Sequence, residues 1–312
     1  MGTVIVGGGI TGLAAAHALV KAGREVTLIE KSPQLGGVIA TSTIAGCVVE
    51  GGPDSFLAAK PAGMQLIREL GLEGEVISSN DHERVTYIWK DGRLIAMPDG
   101  LMMMVPTKIL PMTVSPLLSW GTKIRMGFEL LRRPPAAPRA DRSVAEFIRD
   151  HYGQETVDYL AEPLLAGVYG GDPEELSVGA TLQRFVEMEN KYGSLTRGTL
   201  EAKRKAPPPG AGGGGGGALF RTLKGGMGQL VNALAARLEG KVRILTGEAT
   251  GLARDGQIWR LRVSGGAVDA DHVILATPAW QAAALLRGVD AEVADLLDQV
   301  GYNSSMTIAL GY

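Results

Sequence analysis

The chain has 312 residues, 45% of them hydrophobic and 21% charged, and a formal net charge of -2. This composition is typical of a globular protein, and the length is enough for two domains with a large core. The nearly neutral charge gives no electrostatic reason to expect a nucleic-acid partner. Cys47 is the only cysteine, which excludes an intrachain disulfide and a cysteine-based metal cluster and fits a reducing compartment. The four histidines show no metal-ligand spacing, so no metal site is predicted.

The start of the chain predicts a dinucleotide site. Residues 3–6 (TVIV) form a short apolar run that is typical of a buried parallel strand. Gly7, Gly9 and Gly12 follow with the spacing G-x-G-x-x-G, which permits a tight turn, close approach of a pyrophosphate and close helix–strand packing. An alanine-rich helix comes next, and its free N–H groups and dipole favour an anion at its N-terminus.

The second strand, EVTLIE, ends at Glu30, 23 residues after Gly7. A carboxylate at this place can accept hydrogen bonds from both ribose hydroxyls of an adenosine, and it would repel a 2′-phosphate. Strand, turn, helix, strand and acid occur in the expected order, so a glycine-rich turn of an unrelated α/β protein is the weaker interpretation. At this point the adenosine could belong to NAD or to FAD.

A second glycine pair, Gly36 and Gly37, lies just beyond this acid. A second approach of backbone to the pyrophosphate explains the pair, and so does a plain turn after a strand. The segment EGGPDSF (residues 50–56) combines glycines with a proline of fixed φ. It could carry backbone along a flat ring system, or it could form a surface turn. A flavin explains both segments, which favours FAD.

Several stretches resemble one known family. VIVGGGITGLAAAHAL, IEKSPQLGGVIAT and EGGPDSF look like the FAD-dependent amine-oxidase and protoporphyrinogen-oxidase superfamily. EPLLAGVYGGDPEELS, FVEMENKYGSL, LKGGMGQLVNALAARL and DHVILATPA narrow the resemblance to the bacterial porphyrinogen oxidases of haem biosynthesis. With this resemblance, FAD is the expected cofactor, and its expected binding residues are Gly7, Gly9, Ile10, Thr11, Gly12, Glu30, Lys31, Gly36, Gly37, Gly52, Pro53, Asp54, Ser55, Ala249, Ala276 and Thr277.

The resemblance implies oxidation of a porphyrinogen to the porphyrin, with hydride transfer to FAD and reoxidation by O₂ to peroxide. Leu164 and Gly167 match a family segment that lies against the tetrapyrrole, although a leucine here could equally belong to the core. An arginine that pairs with a propionate is also implied. Arg84 and Arg184 are the candidates, and each is also explained as a surface charge. No catalytic side chain is assigned.

Two alternatives stay open. Another FAD oxidoreductase of the amine-oxidase fold, such as a polyene desaturase or an amine oxidase, would share the cofactor site. An inactive FAD-binding module would hold flavin without turning over a porphyrinogen. The sequence also leaves open whether the substrate is coproporphyrinogen III or protoporphyrinogen IX.

The predicted fold class is α/β, with a Rossmann-type FAD-binding domain built from separated segments, an α+β substrate domain and a helical subdomain. Residues 1–85 and 218–281 are expected to form the FAD domain, 86–200 the substrate and helical part, and 282–312 a strand segment of the substrate domain. The linker predicted at 201–217 contains PPPGAGGGGGG, which buries too little surface to offset its ordering entropy. The family that the chain resembles continues beyond the final MTIALGY, so the chain is either a fragment, which the stop inside an apolar strand-like run favours, or a divergent member.

The apolar stretch from Leu101 to Trp120 is interrupted by Pro106, Pro111 and Pro116, which argues against a membrane span. Amphipathic pieces that rest on a bilayer or line a substrate tunnel fit this pattern, and so does a buried helical subdomain. The N-terminus lacks the basic start of a signal peptide. We therefore expect a cytoplasmic protein, with peripheral contact to the inner face of the cell membrane and a homodimer as further possibilities.

Overall fold

The computed structural model describes residues 2–80, 85–102, 104–205 and 218–311. Its strands in chain order are β1 Thr3–Val6, β2 Val26–Glu30, β3 Thr41–Ile44, β4 Cys47–Glu50, β5 Phe56–Leu57, β6 Val76–Ser78, β7 Tyr87–Lys90, β8 Arg93–Ala96, β9 Leu101–Met102, β10 Val105–Pro106, β11 Phe220–Leu223, β12 Val242–Thr246, β13 Ala249–Asp255, β14 Ile258–Val263, β15 Gly266–Ala270 and β16 His272–Leu275.

The helices in chain order are α1 Ile10–Lys21, α2 Pro61–Glu69, α3 Ile109–Val114, α4 Trp120–Glu129, α5 Val144–Tyr152, α6 Gln154–Thr156, α7 Glu162–Tyr169, α8 Val178–Thr181, α9 Gln183–Tyr192, α10 Leu195–Lys205, α11 Gly228–Leu238, α12 Ala279–Leu286 and α13 Ala291–Asp298. A 3₁₀ turn covers Glu73–Glu75, and a π-helical turn covers Val157–Ala161.

The chain forms two compact units. The first consists of Met1–Asp81 and Gly217–Tyr312, and the second of His82–Gly216. Two distant stretches of sequence therefore build the first unit, and the second unit is continuous. Each unit has its own hydrophobic core.

A parallel sheet in the order β12-β2-β1-β16 forms the centre of the first unit. Strand β1 is buried on both faces, which explains its three apolar residues Val4, Ile5 and Val6. Ile5 packs on one face with α1 and α11, whereas Val4 and Val6 pack on the other with the antiparallel sheet β13-β14-β15. A strand covered on both faces needs apolar side chains on both, so the alternation of a half-exposed strand is missing. The α/β prediction with a parallel sheet is confirmed.

The second unit is mostly helical, with α3 to α10 and two short hairpins, β7–β8 and β9–β10. Its core is formed by apolar side chains from the helices and both hairpins, with Phe147 and Tyr152 of α5 among the largest fully buried residues. Ser143 is the N-cap of α5, and its capping box with Glu146 satisfies two backbone N–H groups.

The linker predicted at 201–217 is partly helical. Helix α10 continues to Lys205, so residues 201–205 are helical rather than part of the predicted linker. The proline- and glycine-rich run at 206–217 lies outside the described residues.

The apolar stretch after Leu101 folds into short strands and the six-residue helix α3. Among the described residues, no helix combines the length and apolar character that crossing a bilayer requires.

Glu155 connects three elements of the second unit. Its carboxylate accepts hydrogen bonds from the Ser119 backbone N–H and hydroxyl, from the Thr122 hydroxyl and from the Lys90 ammonium, at 2.6–3.0 Å. Burial raises the pKa of Glu155, but the bonds from Ser119, Thr122 and Lys90 outweigh this effect and lower the pKa to about 2. The ionised carboxylate therefore ties the start of α4 to β7 and α6.

Glu155→Gln is expected to destabilise the protein by on the order of 2–3 kcal/mol at neutral pH, because the pKa of the folded carboxyl is depressed. The wild-type advantage is fully present above the unfolded pKa of 4.5 and is lost as the pH falls towards about 2. Urea unfolding of both proteins across this pH range measures the effect. A constant difference between them down to the lowest pH would contradict the assignment.

Candidate functional site

A cleft of ≈ 960 Å³ opens at the carboxyl ends of the parallel strands in the first unit. Gly7 follows β1, Glu30 ends β2, Gly247 follows β12 and Ala276 follows β16, and all four line the cleft. Ligands of open α/β sheets bind in this position, where loops from adjacent strand ends diverge. The cleft is large enough for a substantial part of a dinucleotide.

The first glycine loop is shaped by close backbone contacts. Gly7 has a φ of +106°, and a Cβ there would lie 2.4 Å from the Ala276 carbonyl oxygen. A Cβ on Gly12 would lie 1.9 Å from the Gly7 carbonyl oxygen, so the helix approaches the turn more closely than any side chain permits. Gly9 differs, because the nearest atom to its Cβ position is the Gly37 Cα at 3.8 Å. The protein therefore requires glycine at positions 7 and 12 for its own packing, whereas position 9 leaves space for a ligand.

The second glycine pair lies against the first loop. The Gly36 N–H donates to the Gly8 carbonyl at 2.8 Å, and Gly36 forms a parallel bridge with Gly9. Gly36 and Gly37 have φ values of +116° and +61°, which favour glycine. Both residues line the cleft. The two glycine segments thus form one continuous backbone surface.

Glu30 lies at the edge of this surface. Its carboxylate accepts the Gly8 N–H at 2.5 Å and the Ser32 N–H at 2.8 Å, one on each oxygen. These bonds fix the carboxylate in the cleft, and each oxygen can still accept a further hydrogen bond. The arrangement suits recognition of a vicinal diol.

Two unsatisfied polar features test whether a dinucleotide fits. Helix α1 begins at Ile10, and its N-cap Gly9 provides no side-chain bond to the first N–H groups. The Thr277 hydroxyl lines the cleft and is buried without a hydrogen-bond partner among the described residues. Buried polar groups are normally paired, so the Thr277 hydroxyl favours a polar ligand, and the open N-terminus of α1 favours an anionic one. The residues present fit the predicted FAD.

The structure brings most of the predicted cofactor residues into one cleft. The lining includes Gly7, Gly9, Ile10, Thr11, Glu30, Lys31, Gly36, Gly37, Ala249, Ala276 and Thr277. Gly12 packs beneath the loop, and Gly52 is held close to the Val38 carbonyl. Pro53 and Ser55 line a neighbouring groove that shares Ile10 and Val38 with the cleft. Asp54 lines neither space and accepts the Thr222 hydroxyl through its backbone carbonyl.

Part of the lining was not predicted from the sequence, namely Val6, Ile29, Ser32, Val38, Gly247, Glu248, Thr250, Leu275, Pro278, Gln281, Ala284 and Leu285. Most of these residues follow β12 or β16. The available signal was the rule that loops after neighbouring parallel strands face a common ligand. Applying it requires the strand order, which local patterns do not provide.

The predicted substrate residues lie in the second unit. Leu164 is half-buried on α7, whereas its neighbour Leu165 is fully buried in the core. A Cβ on Gly167 would meet nothing within 4 Å, and Arg184 is exposed on α9. Arg84 lies outside the described residues.

The second unit also contains a buried ionic cluster that sequence spacing did not reveal. His151 Nδ1 lies 3.0 Å from Glu129 Oε1, and His151 Nε2 lies 3.2 Å from Glu189 Oε1. Atoms of Asp150, His151 and Glu189 lie close enough to hold a metal ion. However, Arg142 already donates to Glu189, and three arginines lie within 3.5 Å of Asp150. These arginines already neutralise the two carboxylates and would repel a metal ion, so we interpret the cluster as a structural charge network.

The chain is similar in sequence to bacterial proteins named coproporphyrinogen III oxidase. A coproporphyrinogen III oxidase of Propionibacterium freudenreichii is 37% identical and matches 99% of this chain and 63% of its own length. The coproporphyrinogen III oxidase of Bacillus subtilis is 35% identical and matches 99% of this chain and 66% of its own length. This chain therefore spans slightly less than two thirds of either relative.

Solved structures show the same fold. A protein from Exiguobacterium sp. 255-15 has a TM-score of 0.80 at 32% identity, over 95% of this chain and 63% of its own. Cyclohexylamine oxidase of Brevibacterium oxydans has a TM-score of 0.63 at 21% identity, over 95% of this chain and 62% of its own, which shows likeness of fold. The sequence model of the protein family "Flavin containing amine oxidoreductase" matches residues 10–312 of this chain. This match confirms the predicted flavin cofactor. The chain belongs to the flavin containing amine oxidoreductase family.

Proposed function

We propose that this protein oxidises a porphyrinogen of haem biosynthesis to the porphyrin, with FAD bound in the cleft of the first unit and O₂ as the final electron acceptor. The main support for this proposal is that 99% of the chain matches relatives named coproporphyrinogen III oxidase, at 35–37% identity. The amine oxidases among the solved structures share the fold at lower identity and support no amine substrate.

FAD supplies a hydride acceptor that O₂ can reoxidise, with release of peroxide. The chain's own residues hold and orient it in this proposal. The backbone of Gly9, Gly36 and Gly37 accommodates the pyrophosphate, the Glu30 carboxylate accepts from the ribose hydroxyls, and the Thr277 hydroxyl pairs with a polar group of the cofactor. The proposal assigns the FAD domain to residues 1–85 and 218–281.

The porphyrinogen is proposed to contact the second unit, where the half-buried side chain of Leu164 offers an apolar surface to a flat ring. Gly167, one helical turn further on, leaves open space beside it. Exposed Arg184 could pair with a propionate. The location in the cytoplasm and a homodimer remain predictions.

Anaerobic mixing of porphyrinogen with the flavin-loaded protein, followed by air, tests the proposal. Porphyrin fluorescence should rise after air is admitted, together with peroxide. Comparing coproporphyrinogen III with protoporphyrinogen IX determines which ring is preferred. Bound flavin without turnover of either ring would instead support the inactive module.

Glu30→Ala is expected to weaken FAD binding by about 1–3 kcal/mol, or roughly 5- to 150-fold, because a charged hydrogen bond to the ribose is lost. Titration of flavin fluorescence measures the change. Glu25→Ala is the matched control, because Glu25 is exposed just before the start of β2, away from Glu30 at its end, and lines no part of the cleft. Equal flavin affinity of both variants would remove Glu30 from the site.

Leu164→Trp is expected to raise KM for the porphyrinogen at least about tenfold while flavin content and Tm stay unchanged, because the bulky ring obstructs the apolar surface. Leu165→Trp serves as the contrast, since Leu165 is fully buried and overpacking there should lower Tm. If Leu164→Trp unfolds the protein as Leu165→Trp does, position 164 belongs to the core.

A further inference from the structure

The start of helix α11 is held by side chains of the β3–β4 hairpin, far away in the sequence. The Glu50 carboxylate accepts the Met227 N–H at 2.6 Å through one oxygen and the Thr41 hydroxyl at 2.6 Å through the other. The Thr41 hydroxyl oxygen in turn accepts the Gly228 N–H at 2.8 Å. Met227 is the N-cap of α11, and its own side chain makes no capping bond. Glu50 and Thr41 therefore satisfy two backbone N–H groups at the start of this helix.

The loop before α11 is rich in glycine because the hairpin approaches it so closely. Gly226 has a φ of +85°, and a Cβ there would lie 2.4 Å from Thr41 Cγ2 and 2.6 Å from Glu50 Oε1. A Cβ on Gly228 would lie 2.9 Å from Thr41 Oγ1. The sequence GGMG at 225–228 thus leaves space for the two capping side chains. Neither this loop nor Glu50 lines the cofactor cleft, so any effect on the cofactor is indirect.

Helix α11 connects this contact to the cofactor cleft. Val231 is buried three residues after Gly228, and its two γ-carbons lie 3.1 and 3.3 Å from the Cβ position of Gly36. The Gly36 N–H donates to the Gly8 carbonyl at 2.8 Å, and Gly36 lines the cleft. A continuous path of contacts therefore runs from Glu50 through the start of α11 and Val231 to the second glycine pair.

We propose that Glu50 is a positioning residue for FAD, which fixes the start of α11 so that Val231 supports Gly36 beside the pyrophosphate. This inference rests on the proposed placement of FAD in the cleft. Without the carboxylate, the Met227 N–H loses its acceptor and the Thr41 hydroxyl loses the oxygen that orients it. The first turn of α11 is then free to shift, and the backbone surface at Gly36 is no longer preorganised for the cofactor.

Titration of the full chain with FAD, followed by flavin fluorescence, tests this role. Glu50→Ala should weaken FAD binding at least about tenfold, because binding must then also order the start of α11. Glu50→Gln should stay within about threefold of the wild type, since its amide oxygen can accept the Met227 N–H and its amide nitrogen can donate to Thr41. An equal loss in both variants overturns the hydrogen-bonding role. If Glu50→Ala proves misfolded, Thr41→Val provides the test, and it should lose at least about threefold.

Leu238→Ala is the matched control, because Leu238 is fully buried at the opposite end of α11. It should lower Tm through the cavity that it creates, while the folded protein binds FAD like the wild type. Competition of ADP and AMP against FAD gives a readout that a general loss of stability does not change. Glu50→Ala should weaken ADP by a larger factor than AMP, because AMP lacks the second phosphate. Equal factors for the two nucleotides overturn the proposal.

A double-mutant cycle tests the path through α11. Val231→Ala should also weaken FAD binding, and its combination with Glu50→Ala should lose less than the product of the two single losses, because both act on Gly36. Independent effects overturn the path. Wild-type FAD affinity in Glu50→Ala overturns the positioning role, and weakened binding in Glu30→Ala would then show that the cofactor placement stands. Wild-type affinity in both variants overturns the placement as well. None of these measurements depends on turnover of a porphyrinogen.

Discussion

Gly12→Ala is expected to destabilise the protein by about 2–3 kcal/mol and to abolish retention of flavin through gel filtration, because the added methyl cannot be accommodated. Its Cβ would lie 1.9 Å from the Gly7 carbonyl oxygen and 3.1 Å from the Gly7 carbonyl carbon. Both are backbone atoms of the turn, so relief requires moving α1 away from β1. Thermal unfolding of the apo-protein and flavin content together measure the effect.

Gly9→Ala separates the needs of the fold from those of the ligand. Its φ of -69° suits alanine, and the nearest atom to the new Cβ is the Gly37 Cα at 3.8 Å. The stability of the apo-protein should therefore change by less than about 0.5 kcal/mol, while flavin affinity should fall at least about tenfold because the methyl would occupy the proposed path of the pyrophosphate. Wild-type affinity in this variant would contradict the placement of the pyrophosphate, and a wild-type Tm for Gly12→Ala would show that the loop relaxes.

Glu129→Gln is expected to destabilise the protein by about 3–5 kcal/mol at neutral pH, because it removes one partner of a buried ionic contact. Glu129 is 2% exposed. Its carboxylate accepts from His151 at 3.0 Å, from the Ser194 hydroxyl at 2.8 Å and from the Leu195 N–H at 2.6 Å. An amide replaces one acceptor oxygen by a donor, so it would face at least one of these donors without pairing. Urea unfolding measures the loss.

The pH dependence of this effect has a definite sign. Burial raises the pKa of Glu129, but the hydrogen bonds from His151, Ser194, Thr196 and Leu195 outweigh it, and the net pKa lies below 4.5. The contribution to stability is therefore present above pH 4.5 and is lost as the pH falls through the lowered pKa. Wild type and Glu129→Gln should converge in acid.

Glu187→Gln is the control for this prediction, because Glu187 is exposed on α9, two residues before buried Glu189. It should change stability by less than about 0.5 kcal/mol at any pH. A similar small change for Glu129→Gln would contradict an ionised role of Glu129 in the core.

The dinucleotide half of the site could be predicted because its determinants are local. Residues 3–30 contain the apolar strand, the glycine spacing, the helix and the terminal acid in immediate succession. A φ of +106° at Gly7 and the close packing of Gly12 are requirements of that short backbone path. Only glycine meets either requirement, so the sequence alone reveals both positions. Capping at Ser143 was predictable for the same reason, since the bonding partner Glu146 is three residues away.

The tertiary structure decided which distant residues share a site. Gly247 and Thr277 reach the cleft because β12 and β16 flank β2 and β1, and this strand order depends on burial of both faces of the sheet rather than on any local pattern. Likewise, Glu129 and Glu189 meet His151 through the packing of α4 and α9 around α5. Each of these residues viewed alone is compatible with an exposed position. Sequence thus determined the turn and helix chemistry of the nucleotide loop, whereas packing of sheet faces and helices determined the far wall of the cleft and the ionic core.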